Sequence, residues 1–436
     1  MEDTTAGVTN ITSGTQYIDD SIEKLPFSQL IKRIGPGLIL TGIVIGPGAI
    51  TTAAMIGSGY GYALMWLMIP IAFMGATFVL TTYRITSLTG LPIIHAIREY
   101  YGKGWAAFVG VALFIACFFF TIGNISGTGA GVSLITGINW KAGAVIMIAI
   151  LIYCYFSKGV YSKLEKGITC CIVAMIIAFY YTLVGVGGPD WGPMMQGFVS
   201  WGFPEGSVVT ALGFISTNAA ITTGIYGTYL GAEKKWKRED MFNGIMFTDA
   251  VVHVLGVCLI TGSIVLVGAI VLHPTGQVLK NPVQMAAMLV PALGWVANIV
   301  MGVALLAAAY SSLLGNTQRA MVLLNAGLDK PVNLEHKSIR WGSLIIIAVC
   351  AAICFSYDGS PVMLIYIANV LTAIATPVGG FFVCLLLCRK DVNKGYRPPR
   401  LLQVSMIASY LFCLLLTWLA LSQTVPKLLK SIMSLM

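Results

Sequence analysis

The chain has 436 residues, of which 57% are hydrophobic and only 10% charged, with a formal net charge of +9. Globular domains carry about 25% charged residues, so this composition cannot cover a soluble surface. It excludes a soluble enzyme, a nucleic-acid binder and a secreted disulfide scaffold, and it predicts an all-α polytopic membrane protein.

Residues 1–30 are polar and mixed in charge, with no apolar core ahead of a small-residue cleavage site. Residues 1–32 therefore read as a flexible cytoplasmic tail. Eleven apolar runs follow, at 35–56, 63–85, 104–134, 139–156, 165–186, 207–231, 242–272, 284–314, 340–356, 361–388 and 402–423. Runs of this length suit the hydrocarbon core of a bilayer. The ten cysteines lie mostly inside these runs and lack C-x-x-C pairs, so they read as small membrane-core residues.

The first run is interrupted by Gly46-Pro47-Gly48. Proline removes a backbone hydrogen bond and glycine tolerates non-helical angles, so the helix is expected to unwind near Ile45–Ala49. Gly46, Gly48 and Ala49 would then offer free N–H groups at the start of the outer half-helix, where the dipole favours an anion. The sixth run carries Ser216-Thr217-Asn218-Ala219-Ala220-Ile221-Thr222-Thr223-Gly224, polar and glycine-flanked where lipid contact would call for leucine. These two runs hold matching positions in two five-helix repeats. Paired interrupted helices point to a midplane binding site. Thr51, Thr52, Ser216, Thr217, Asn218, Thr222 and Thr223 supply donors and acceptors there, with Asn124 and Tyr310 as further cavity-lining candidates.

In the seventh run Asp249 and His253 are four residues apart, hence on one helix face. An ionisable pair inside a membrane is a functional candidate, against a solvated pair near the cytoplasmic helix end. In the eighth, Ser311 and Ser312 are candidates for a coupling ion, sodium or a proton being the options. With the N-terminus cytoplasmic, the inner segments hold 22 of the 26 basic residues, Arg319 among them. Positive charge stays on the cytoplasmic side, which supports that orientation and puts the C-terminus outside a plasma (inner) membrane.

The order of Gly35-Pro36-Gly37, Gly46-Pro47-Gly48-Ala49, Thr89-Gly90-Leu91-Pro92, Arg98-Glu99-Tyr100-Tyr101-Gly102, Gly127-Thr128, Lys163-Leu164-Glu165, Ala211-Leu212-Gly213 and Leu305 to Ser312 resembles the Nramp family of divalent-metal transporters, over roughly residues 33–423. The resemblance implies a LeuT-like fold with two inverted five-helix repeats, at 33–188 and 189–400, broken first and sixth helices, and a last helix and tail at 401–436. It also exposes departures. The family's Asp-Pro-Gly-Asn falls on Gly46-Pro47-Gly48-Ala49, so both ligands are replaced. The family's methionine ligand falls on Ala220 and its histidine on Thr222. The proton-pathway Asp and Glu fall on Thr121 and Asn124, and a glutamine of the tenth helix on Asn369.

Of the 17 acids only Glu165 and Asp249 fall within the apolar runs, and neither is on a broken helix. A bare dication would lack countercharge there. The sequence thus predicts a secondary-active transporter for a small organic anion, a carboxylate, or an amino acid, working as a monomer in the lipid bilayer. The alternative is a divalent-metal carrier of the Mg/Mn type with altered selectivity, hydrated magnesium for example. A non-transporting sensor or scaffold would need an appended soluble domain. No phosphate-binding loop and no catalytic constellation occurs, so neither an enzyme, a cofactor nor a nucleic-acid partner is expected.

Overall fold

Proline and glycine decide where the first apolar run stops being one helix. The computed structural model describes residues 23–33, 36–156, 160–233, 236–277 and 279–433. After a short helix α1 (Phe27–Arg33), the run forms α2 (Pro36–Val44) and α3 (Pro47–Tyr60), parted at Ile45 and Gly46. Gly46 is extended, with φ −103° and ψ −176°, and Pro47 opens α3, where its missing N–H is not needed. The first half continues through α4 (Met68–Thr89), α5 (Ile93–Tyr101), α6 (Lys103–Thr136), α7 (Trp140–Phe156) and α8 (Val160–Gly185).

The short α9 (Trp191–Val199) lies between the halves. The second half opens with α10 (Val208–Asn218) and α11 (Ile221–Glu233), parted at Ala219 and Ala220. It continues through α12 (Ile245–Val267), α13 (Pro282–Ala286), α14 (Val290–Leu293), α15 (Ala297–Gly327), α16 (Lys337–Ser356), α17 (Pro361–Leu371) and α18 (Ala375–Cys388), and α19 (Arg400–Met433) follows. There is no β-strand among the described residues. Among the described residues, eight of the eleven expected spans are long and apolar enough to cross a membrane. The first is divided by its break into α2 and α3, and the fourth and fifth form α7, of 17 residues, and α8, of 26.

The centre of the bundle is α6 against α15, and small residues let them meet. A Cβ on Gly131 would lie 2.7 Å from the Gly302 carbonyl oxygen, and one on Gly110 would lie 2.7 Å from the Gly327 Cα. Close backbone approach through small residues is how membrane helices gain dispersion contact without a hydrophobic driving force. Gly127, on the same α6 seam, receives the ring of Pro47. The break of the first span is thereby seated against the central helix pair.

Two sequence expectations are corrected here. The eighth span does not end at 314; α15 runs on to Gly327, and Arg319 is a fully buried helix residue, not a loop cation. The polar stretch Asn316-Thr317-Gln318-Arg319 lowers hydropathy without breaking the helix, since it faces other helices. Part of the expected tail is helical, since α1 begins at Phe27; residues 1–22 lie outside the described residues.

Candidate functional site

The two breaks meet the central helices through side-chain oxygens and amides. A Cβ on Gly46 would lie 2.8 Å from Ser312 Oγ and 3.1 Å from Asn124 Oδ1, and one on Gly48 would strike the amide of Asn369. Glycine at both positions is thus a matter of space. Asn124 comes from α6, Ser312 from α15 and Asn369 from α17, all three buried. Ala49, Thr51 and Thr52 follow on α3, with no measurable exposure. Thr52 Oγ1 donates back to the Gly48 carbonyl at 2.8 Å.

The second break is tied to α17. Ser216 Oγ donates to the Asn369 carbonyl at 3.1 Å, and Thr372 Oγ1 donates to Ser216 Oγ at 3.3 Å. Thr217 Oγ1 donates to Gly213 O at 2.7 Å and Asn218 Nδ2 to Phe214 O at 2.8 Å. Unwinding is confined to Ala219 and Ala220, narrower than the sequence suggested, because these side chains bond back onto their own helix. Ala220, Thr222 and Thr223 are buried beside it. Thr51 Oγ1, Asn124 Nδ2, Asn218 Oδ1, Thr222 Oγ1 and Asn369 Nδ2 are buried with no protein partner. Each such atom costs about 1–3 kcal/mol unless something bonds it. A half-turn of an amide exchanges oxygen for nitrogen, so the three asparagines can present oxygens.

Ser311 and Ser312 do reach the first span. Ser312 Oγ donates to Ile43 O at 3.0 Å and lies 3.3 Å from Gly42 O, while Ser311 Oγ lies 3.4 Å from Gly42 O. Tyr310 is buried on the same stretch of α15. Asp249 and His253 are brought elsewhere, onto α2. His253 Nδ1 is 2.9 Å from Thr41 Oγ1, Tyr83 donates to Asp249 Oδ2 at 3.2 Å, and a Cβ on Gly37 would meet the Asp249 carboxylate. Both are buried, which corrects the solvated-pair reading.

Sequence reasoning missed Arg319. It lies two turns along α15 from Ser312 and is 1% exposed. Its guanidinium donates to Thr223 Oγ1 of α11 at 3.3 Å, bonds Asn316 Oδ1, and stands 5.2 Å from the Phe120 ring of α6. No carboxylate pairs with it among the described residues. Beyond it, Tyr226 of α11 and Val322 of α15 line a cavity of about 310 Å³. Among the described residues no three His, Cys, Asp or Glu side chains cluster as a metal cage would require, so the oxygens at the breaks are amide, hydroxyl and carbonyl.

A family model described as natural resistance-associated macrophage protein-like matches residues 37–423. The chain is 23% identical over 391 residues to the divalent metal cation transporter MntH of Agrobacterium fabrum, covering 86% of this chain and 83% of that one. It is 21% identical to the MntH of Staphylococcus saprophyticus, covering 80% and 83%. Its fold is that of a crystallised mutant of the Eremococcus coleocola manganese transporter, with TM-score 0.75, 17% identity and 96% of both chains covered. MhsT, crystallised with L-phenylalanine, aligns at TM-score 0.58 and 17% identity over 88% of this chain and 98% of that one.

These relatives overturn the expectation of an organic-anion or amino-acid solute carrier, since the curated ones are named for divalent metal cations. The geometry gives the reason. The N-terminus of α3 is not an open anion site: the Asn369 amide already lies on Gly48, and Ser312 and Asn124 oxygens lie on Gly46. Neutral amides and hydroxyls crowd the break, and they present oxygens as readily as N–H groups. The family match, the membrane helices and the paired breaks agree: this integral membrane protein belongs to the Nramp family.

Proposed function

We propose that the chain is a secondary-active transporter carrying a divalent metal cation of magnesium or manganese type by alternating access around the two breaks. The observation that carries this reading is the set of five buried, unpartnered polar atoms at the breaks, in a chain whose relatives are named divalent metal cation transporters. Hard cations take amide, hydroxyl, carbonyl and water oxygens. A site of neutral oxygens holds such an ion weakly and leaves part of its water shell in place. It offers little to soft cadmium, which favours sulfur.

In this reading Asn124, Asn218 and Asn369 hold the cargo. Ser311 and Ser312 with the Gly42 and Ile43 carbonyls suit a sodium ion, and Asp249 with His253 suits a proton. The basic loops face the cytoplasm, so the N-terminus is inside a plasma membrane and the C-terminus outside. The protein acts as a monomer.

Uptake into proteoliposomes holding an ion-sensitive dye tests the assignment. Wild-type protein takes up magnesium or manganese, and Asn124→Ala and Asn369→Ala each lower uptake about tenfold, as expected for one lost ligand. Dication uptake no faster than in protein-free liposomes, or uptake unchanged in both variants, overturns it.

A further inference from the structure

Between α18 and α19 the chain makes a turn that neither break uses, and it lines a cavity of about 560 Å³. Lys390, Arg397 and Arg400 line it, with Asn393 and Gln403. None of the three cations has an acidic partner among the described residues. The nearest acid in sequence, Asp391, is already taken by Arg389, whose Nε donates to both carboxylate oxygens at 2.7 and 2.9 Å. The cavity is therefore a concentration of uncompensated positive charge.

The turn is also built. Arg84, buried at the end of α4, donates from Nη2 to the carbonyls of Tyr396 at 2.9 Å and Arg397 at 3.1 Å. Asn393 Nδ2 donates to Leu387 O at 2.8 Å and Arg389 O at 2.7 Å. Arg238 stacks 4.3 Å over the Tyr396 ring. Buried donors of this kind fix the backbone from which Lys390, Arg397 and Arg400 project. Holding like charges together is unfavourable, so their convergence without an acid calls for an anion.

The neighbouring surface identifies which anion. Arg400 opens the long helix α19, and Val404, Ile407 and Leu411 follow it on one stripe at helical spacing. Val404 is 64%, Ile407 41% and Leu411 56% exposed. A headgroup phosphate in the cavity would have its acyl chains along that stripe, whereas a free phosphate would gain nothing from it. Basic pockets at the membrane interface recognise anionic headgroups in this way. We propose that the α18–α19 turn is a binding site for the phosphodiester headgroup of an anionic phospholipid.

The test is native mass spectrometry and thermal unfolding of the full chain in detergent, with phosphatidylglycerol, phosphatidylcholine or inorganic phosphate added. Phosphatidylglycerol is expected to be retained and to raise the melting temperature; the other two are not. Lys390→Gln, Arg397→Gln and Arg400→Gln each weaken retention about fivefold, while Lys280→Gln leaves it unchanged. All three side chains are exposed, so single variants fold; if the triple variant does not, the singles and the wild-type lipid comparison decide. Equal retention of the two lipids, or unchanged retention in all three single variants, overturns the proposal. Saturable stabilisation by inorganic phosphate without any by phosphatidylglycerol overturns the lipid as the source of the anion.

Discussion

Arg319 is the residue whose environment is least like that of its type. A buried guanidinium held by neutral side chains and one aromatic face keeps a desolvation penalty that no carboxylate among the described residues offsets. Arg319→Met preserves length and packing and removes that penalty, so it should raise stability by about 1–3 kcal/mol, read as a higher melting temperature in detergent. The same substitution unties α11 from α15 between the breaks and the 310 Å³ cavity, so uptake should change even as stability rises. Gly48→Ala acts oppositely. Its methyl meets the Asn369 amide, and overpacking of this kind costs about 1–3 kcal/mol. Uptake should fall while Gly59→Ala, at a position with open space around it, leaves uptake and stability nearly unchanged.

Among the elements, α5 ties the end of α15 to the first half. Arg98 donates from Nη2 to the carbonyls of Ala326 at 2.8 Å and Gly327 at 2.7 Å, and its Nη1 pairs with Asp329 at 3.1 Å. These are last-turn carbonyls with no partner within the helix. Arg98→Ala should cost about 1.5–3 kcal/mol, the range for bonds to a charged donor, measured by thermal unfolding. On the same helix, burial first and Arg98 next hold the His95 imidazole below its ordinary 6.5, with Asp329 opposing. The folded protein then binds fewer protons than the unfolded chain, so stability is full above about pH 6.5 and declines as pH falls through it. His95→Gln should flatten that part of the profile. The seam of α6 and α15 gives the matching packing test: Gly131→Ala puts a methyl on the Gly302 backbone and should lower the melting temperature.

For the whole molecule, membrane class, helix order and both breaks were legible in the sequence, because apolar run length and proline or glycine interruptions act locally. The extent of unwinding was not, since Ser216 and Thr217 bond carbonyls that sequence alone leaves open. Arg319 was hidden because hydropathy cannot tell a polar helix face turned inward from a loop. For the same reason the sequence left Asp249 and His253 open between an intramembrane pair and a solvated one, and their burial agrees with the first. The cargo class was misread because a buried asparagine donates and accepts equally well, so its presence does not set the sign of the ligand's charge. Orientation is a whole-molecule property too. A single cysteine at Trp201, exposed between α9 and α10, should react with an impermeant maleimide added outside intact cells, and one at Lys330 should react only after lysis.

The interruption at Ile45 and Gly46 also has a mechanical meaning. α3 is wedged at its start, where Pro47 sits on Gly127. α2 is held by its contact with Asp249 and by side-chain hydrogen bonds at Thr41, Gly42 and Ile43. Nine residues at a rise of 1.5 Å make α2 a lever about 13 Å long. A swing of about 20° at the break displaces its far end by roughly 5 Å, about half the spacing of two packed helices. That motion exchanges a few hydrogen bonds and melts no helical turn, so one half of the span can travel while the other keeps its place.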